Sequence, residues 1–177
     1  MKHTIEHVFD ASAERVWDLF FFDEDYGRAL QERLRLRLSG LELQHEGAGP
    51  TLIVRRRVRL TPQRELPPAL RRLLGDRVTL QESGDFNAER RRYSVKIELS
   101  ALAGLIDCGG EYTWDTLPGG ALRRVWDGHC EAKIPLVGAR LERHVLGEIE
   151  ASLAELYALT CRWLREHPAA SRADAAP

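Results

Sequence analysis

One arginine lies among apolar neighbours in a strand-like run, LIVRRRVRL at residues 52–60. Because strand side chains alternate between two faces, Arg56 shares a face with Val54 and Val58, and the run's other three arginines occupy the polar face. A guanidinium can hold a carboxylate or phosphate through two parallel hydrogen bonds. An unpaired buried charge is costly. We therefore expect Arg56 to be paired, to lie at a solvated strand end, or to bind an anionic ligand.

A carboxylate and two histidines share this apolar side. Glu82 alternates with Val78 and Leu80 in a second strand-like run, so it is the predicted partner of Arg56. His7 and His45 also alternate with apolar residues, and each could reach the same interior.

The last predicted hairpin brings two cysteines opposite each other. A turn centred on Gly119 places Cys108 opposite Cys130 and Tyr112 opposite Trp126. Facing thiols could be a redox pair, half of a metal site, or two small buried groups. No CxxC motif or suitably spaced histidine accompanies them, which favours small buried groups. We predict no metal and no cofactor.

Hydrophobic periodicity predicts the elements that position these residues. A short helix should follow the first strand, with Asp10 or Ser12 as its N-cap, and a helical turn should lie within LPPALRRLLGDR, residues 66–77. GDFN (84–87) and LPGG (117–120) are predicted hairpin turns. The remaining predictions are a helix at 25–37, a helix at 136–165, and strands at 3–9, 40–46, 51–61, 77–83, 90–99, 105–116 and 121–134.

This order resembles the START-like, or SRPBCC, helix-grip superfamily. The resemblance lies in IEHVFDASAERVWDLF, LPPALRRLLG and KIPLVGARLERHVLGEIEASLAELY, and it is closest to bacterial START-like proteins of unknown function. It implies an α+β fold in which a curved antiparallel sheet of about seven strands wraps around a long C-terminal helix, with two short helices after strand 1. A single START-like domain at 1–166 and a disordered tail at 167–177 are expected.

The resemblance also implies a hydrophobic cavity between sheet and helix, in which family members bind lipids, sterols, quinones or polyketides. A few members are aromatase/cyclases or activate partner proteins. Four small residues near the middle of the predicted inner face would leave room for a ligand, unless the helix packs closely there: Cys108, Gly110, Gly128 and Cys130. The candidate ligand-binding residues are Arg56, Glu82, Tyr93, Ile97, Cys108, Gly110, Tyr112, Trp114, Trp126, Cys130, Ile149 and Leu153.

Composition restricts the functional classes. The 177 residues are 44% hydrophobic and 30% charged, with a net charge of -1, which argues against nucleic acid as a partner. Three scattered cysteines argue against a disulfide scaffold and favour a cytoplasmic setting. No segment approaches the roughly 20 apolar residues of a membrane span, so an integral membrane protein is not expected.

The leading hypothesis is a non-enzymatic binding protein for a hydrophobic or amphipathic small molecule, with Arg56 as its polar anchor. The first alternative is an aromatase/cyclase-type enzyme, in which Tyr112, His7 or His45 would move protons on a polyketide-like substrate. The second alternative is a protein-interaction module, which an apolar patch on the outer sheet face would indicate. The oligomeric state does not follow from the sequence.

Overall fold

The computed structural model describes residues 1–63, 71 and 78–168. Two single 3₁₀ turns, Gly49–Thr51 and Ser100–Leu102, accompany its strands and helices. The strands are β1 (Lys2–Phe9), β2 (Leu36–Glu46), β3 (Ile53–Pro62), β4 (Leu80–Asn87), β5 (Arg92–Leu99), β6 (Ile106–Thr116) and β7 (Leu122–Ala132), and the helices are α1 (Ala13–Phe22), α2 (Glu24–Leu34) and α3 (Gly138–Glu166).

The described strands form one seven-stranded antiparallel sheet in the order β1-β7-β6-β5-β4-β3-β2. Burial alternates along the central strands, so one face of the sheet is apolar and the other is charged. The long helix α3 packs on β7, β1 and α2, and thereby covers part of the apolar face. This is the predicted helix-grip fold, with two short helices after the first strand.

Side-chain caps define where α1 and α2 begin. Ser12 accepts a hydrogen bond from the Arg15 amide, and Asp23 accepts one from the Tyr26 amide, 2.8 Å away. The predicted extension of the second helix to residue 37 is wrong, because Arg35 adopts the left-handed conformation (φ 52°) and ends α2. Leu36 then pairs with Pro62 to start β2. Sheet pairing therefore overrides a leucine spacing that is typical of a helix.

The predicted turn at GDFN is also wrong. Residues 84–87 continue β4 and pair with β5, and the hairpin turns at residues 88–91. The Asn87 side chain accepts a hydrogen bond from the Arg90 amide, and Arg91 has the positive φ that this turn requires (50°). Asp85 and Phe86 alternate between the two faces as strand residues do, but Gly, Asp and Asn are also the residue types that favour turns, so the sequence suggested a turn here.

The C-terminal helix has a buried stripe that contacts both layers. Within this stripe, Leu141 and Leu146 pack below β6 and β7, while Leu156 and Leu159 are buried nearer the helix end. The Thr160 and Tyr26 hydroxyls are 2.8 Å apart, which joins α3 to α2. The predicted helical turn within 66–77 and the predicted tail lie outside the described residues, apart from Arg71, His167 and Pro168. None of the described helices is long and apolar enough to cross a bilayer.

Candidate functional site

The predicted ligand-binding residues gather on the inner face of the sheet and on the part of α3 opposite it. They divide into two groups by exposure. The half-buried residues are Arg56, Glu82, Ile97, Gly110, Tyr112 and Ile149; the buried ones are Tyr93, Cys108, Trp114, Trp126, Cys130 and Leu153. Three members of the half-buried group, Ile97 and Tyr112 on the sheet and Ile149 on α3, present apolar or aromatic side chains on the inner side, and we call them the accessible strip.

Arg56 is paired with Glu82, as the first of the three alternatives predicts. The Arg56 Nη1 and Glu82 Oε1 atoms lie 2.5 Å apart, and the two side chains are only 19% and 25% exposed. The Arg56 guanidinium also lies 5.1 Å from the centre of the Phe20 ring. Its charge is therefore neutralised within the protein, which removes the reason for Arg56 to require an anionic ligand.

Breaking this pair should cost more than breaking an exposed one. We expect Glu82→Leu to lower the free energy of unfolding by roughly 1–3 kcal/mol, because it leaves a half-buried guanidinium without its acceptor. The double variant Arg56→Met, Glu82→Leu should recover most of that loss. Urea denaturation provides the measurement, and Glu42→Leu is the control. Glu42 pairs with Arg57 on the exposed face of the same strand, so about 0.5 kcal/mol or less is expected there. If the stability costs of Arg56→Met and Glu82→Leu simply add up to the cost of the double variant, the inner pair contributes no coupling energy.

Glycines at the middle of the inner face do not leave space for a ligand. A Cβ at Gly110 or Gly128 would overlap the Trp126 ring, and a Cβ at Gly84 would overlap the Tyr93 ring. The predicted room above Gly110 and Gly128 is thus occupied by Trp126, which is 3% exposed. This corrects the interpretation of these small residues, since large aromatic neighbours require them.

The cysteine register is as predicted, and it makes a small buried pair. Cys108 lies directly opposite Cys130 and both pack against Leu146 of α3, so the helix does approach closely there. The hydrogen bond between the neighbouring thiols, together with burial, raises the pKa of Cys108 well above its ordinary value. All three cysteines are free. The described residues contain no cluster of three or more potential metal ligands.

A second inward arginine, Arg124, differs from Arg56 in having no ionic partner among the described residues. It is 3% exposed, and its guanidinium lies 4.8 Å from the Phe9 ring centre, 5.0 Å from that of Tyr112 and 5.9 Å from that of Trp17. Nη2 is buried without a hydrogen-bond partner in the part of the chain that the structure describes. Burial lowers the pKa of Arg124 from its ordinary value, and none of the described carboxylates opposes that effect.

Strand alternation places Arg124 on the inner face, between Leu122 and Trp126, but it was not among the predicted ligand-binding residues. The sequence signal was the same one that identified Arg56. What the sequence could not show is that Arg124 has no carboxylate partner among the described residues.

The candidate proton-transfer groups are not arranged as acid–base pairs. His7 is paired with Arg124 across β1 and β7 and stacks on Tyr157 at 4.4 Å between ring centres. Burial, reinforced by the Arg124 charge, lowers the pKa of His7 to about 4. Burial raises the pKa of Tyr112 to about 12. His45 is exposed on the edge strand, where its ring meets Phe22.

The outer face has a depression of its own, of about 370 Å³. Its lining includes Gly109 and, among others, the side chains of Lys96, Asp107, Glu111 and His129. These are charged or titratable outward side chains, several in surface ion pairs. The lining of the depression mixes polar and apolar surface, which suits a hydrophobic ligand or an apolar protein interface less well than the inner face does.

The seven-stranded sheet, the long C-terminal helix packed on it and the aromatic inner face together give the fold of the START superfamily. The chain belongs to the family described as "Protein of unknown function (DUF2505)", whose match covers residues 4–164.

Three solved structures show the same fold at low sequence identity. TTHA0849 from Thermus thermophilus has 19% identity and a TM-score of 0.59, covering 94% of this chain and 98% of its own. The Zhui aromatase/cyclase from Streptomyces sp. R1128 has 16% identity and a TM-score of 0.59, with coverages of 96% and 98%. A START superfamily protein from Mycobacterium smegmatis has 11% identity and a TM-score of 0.55, with coverages of 93% and 97%. Comparison with curated proteins found no match.

Proposed function

We propose that the protein binds a hydrophobic or amphipathic small molecule, such as a lipid, a quinone or a polyketide-like compound, between the inner face of the sheet and α3, and releases it unchanged. The observation that carries this proposal is the accessible strip at the middle of an otherwise apolar face. Ile97 and Tyr112 on the sheet, and Ile149 on α3, keep partial exposure although they face inwards. In a fully packed core such side chains would be as buried as Tyr93.

The chemistry of the strip suits an apolar body with few polar groups. Burying apolar ligand surface contributes about 25 cal/mol per Å², so a rigid ring system or an acyl chain would supply most of the affinity. The Arg56–Glu82 pair offers one donor and one acceptor group at the β3–β4 side, with no net charge. The three free thiols favour a cytoplasmic location.

The aromatase/cyclase alternative draws support from the fold neighbour of that name. An enzyme that moves protons on a bound substrate needs an acid and a base within reach of each other. Here Tyr112 holds its proton strongly, His7 resists protonation, and His45 lies at the exposed edge. The geometry therefore favours binding over catalysis.

Native mass spectrometry of the protein purified from its own host tests the proposal, with Ile97→Trp and Lys96→Trp as a matched pair. These neighbours point to opposite faces of β5, so Ile97→Trp fills the accessible strip and Lys96→Trp fills the outer depression. We expect a stoichiometric hydrophobic molecule on the wild type and on Lys96→Trp, and its loss from Ile97→Trp. Loss from Lys96→Trp alone would place the ligand on the outer face. A bare wild-type mass that no lipid, quinone or polyketide shifts would contradict the proposal.

A further inference from the structure

Arg124 poses a physical problem that the binding of an apolar molecule does not explain. Its side chain is 3% exposed, and the described residues supply neither a hydrogen bond nor an ion pair to its guanidinium. Three aromatic rings surround it, from Phe9 on β1, Trp17 on α1 and Tyr112 on β6. Cation–π contacts recover part of the desolvation cost, but ring faces accept no N–H bond in the way that an oxygen does.

The other inward arginine shows what a satisfied guanidinium looks like in this fold. Arg56 likewise lies over a ring, that of Phe20, yet it also has Glu82. Arg124 has the ring contacts without the carboxylate. An anionic acceptor from outside the described residues would supply to Arg124 what Glu82 supplies to Arg56.

We infer that Arg124 is the anchor for the carboxylate of an apolar ligand, whose body lies along the accessible strip beside Tyr112. The inference rests on the proposed function and deepens it by assigning the ligand's charge. The Tyr112 ring, part of the accessible strip, is centred 5.0 Å from the guanidinium, so a ligand body packed on Tyr112 would lie within reach of the anchor.

A single negative charge fits this site better than a phosphate. On the inner face of the described strands the other arginine is Arg56, which Glu82 neutralises. His7, the direct partner of Arg124 across β1 and β7, is held neutral. A phosphate monoester carries about −1.5 to −2 charges at pH 7 and needs more donors than one guanidinium supplies. A carboxylate matches one planar fork of N–H groups.

The environment of His7 makes it a reporter of occupancy. Arg124 on β7 and Tyr157 on α3 are the titratable side chains that face it, and Arg124 carries the charge. The Arg124 charge contributes to the low pKa of His7, after burial. An anion bound to Arg124 would cancel this contribution and raise the pKa of His7, whereas a neutral ligand of the same shape would not.

The experiment uses 2-naphthoate and 2-naphthamide, which share a ring system and differ in charge. Calorimetry should show wild type binding naphthoate at least about tenfold more tightly than naphthamide. Arg124→Met should abolish that preference while binding naphthamide within about twofold of wild type. Arg123→Met is the matched control, because Arg123 lies next along β7 on the exposed face and pairs with Glu6. It should behave as wild type.

The outcomes distinguish failure of the proposed Arg124 anchor from failure of the proposed function. If both probes bind and Arg124→Met keeps the preference, or weakens both probes equally, the anchor is overturned and the proposed function stands. If neither probe binds wild type, the anchor is overturned, and the proposed function is decided separately by native mass spectrometry. Proton NMR of His7 in the wild-type protein tests the anchor without any substitution. Naphthoate should raise the His7 pKa from about 4 towards its ordinary value, and naphthamide should not. Equal titration with both probes would also overturn the anchor.

Discussion

Trp126→Ala should lower the free energy of unfolding by about 3–5 kcal/mol, the usual cost of deleting a buried tryptophan. Trp126 is 3% exposed, its ring centre lies 4.5 Å from that of Tyr112, and the ring covers two glycines. Its removal leaves a void that the rigid strands cannot close, because no side chain rises from Gly110 or Gly128 to fill it. Denaturant unfolding, followed by far-UV circular dichroism, measures the loss.

The glycine beneath the ring turns this result into a double-mutant cycle. In wild type, Gly128→Ala should cost about 1–3 kcal/mol, because the three closest atoms to its new Cβ all belong to the Trp126 side chain. In the Trp126→Ala background the same change should be neutral, or stabilising by up to about 1 kcal/mol, since alanine loses less entropy on folding.

Gly110→Ala is the control for this cycle. Its Cβ would also lie 2.6 Å from the Asp127 carbonyl oxygen, which belongs to the backbone and stays in place. Gly110→Ala should therefore remain costly in both backgrounds. If the Gly128→Ala and Trp126→Ala costs simply add, the ring does not occupy the glycine position as the structure shows it.

Period-two alternation was sufficient to predict the inner face, and the turn centred on Gly119 was sufficient to predict the register of β6 and β7. Both depend on local rules, since each strand residue faces opposite to its neighbour and a turn fixes which residues pair. The pairing of Arg56 with Glu82 was predictable for the same reason, because two lone charges on one apolar face need each other.

What occupies the space above a small residue was not predictable, because it depends on side chains from other positions and on their rotamers. Gly110 and Gly128 indicated room, but the ring of Trp126, a residue on the same face, folds back over them. The absence of a described carboxylate beside Arg124 was unpredictable for the same reason, because it depends on side chains from other positions. Alternation showed that this arginine faces inwards, while only the packed structure shows that the described carboxylates lie elsewhere. The error at residues 35–37 has a similar origin, since pairing with β3 outweighs helix periodicity.

Acidification should destabilise the protein through His7. Its pKa is about 4 in the folded protein and about 6.5 when unfolded, so between these values the unfolded chain binds more protons. The penalty is absent above pH 6.5, grows as the pH falls, and is complete below pH 4. After allowance for the partial exposure of the ring, stability should be about 1–2 kcal/mol lower at pH 5 than at pH 7.5 from this group alone.

Two substitutions isolate this effect from the titration of carboxylates. His7→Phe preserves an aromatic ring against Tyr157 and cannot be protonated, so its stability should fall less between pH 7.5 and pH 5 than that of wild type. His129→Gln removes a histidine from the outer face and should retain the wild-type pH dependence. Thermal unfolding across this range measures all three proteins. Parallel curves for wild type and His7→Phe would mean that His7 is not held neutral by burial and the Arg124 charge. The direction follows from the geometry, because protonation would place a second positive charge beside a guanidinium that has no carboxylate among the described residues.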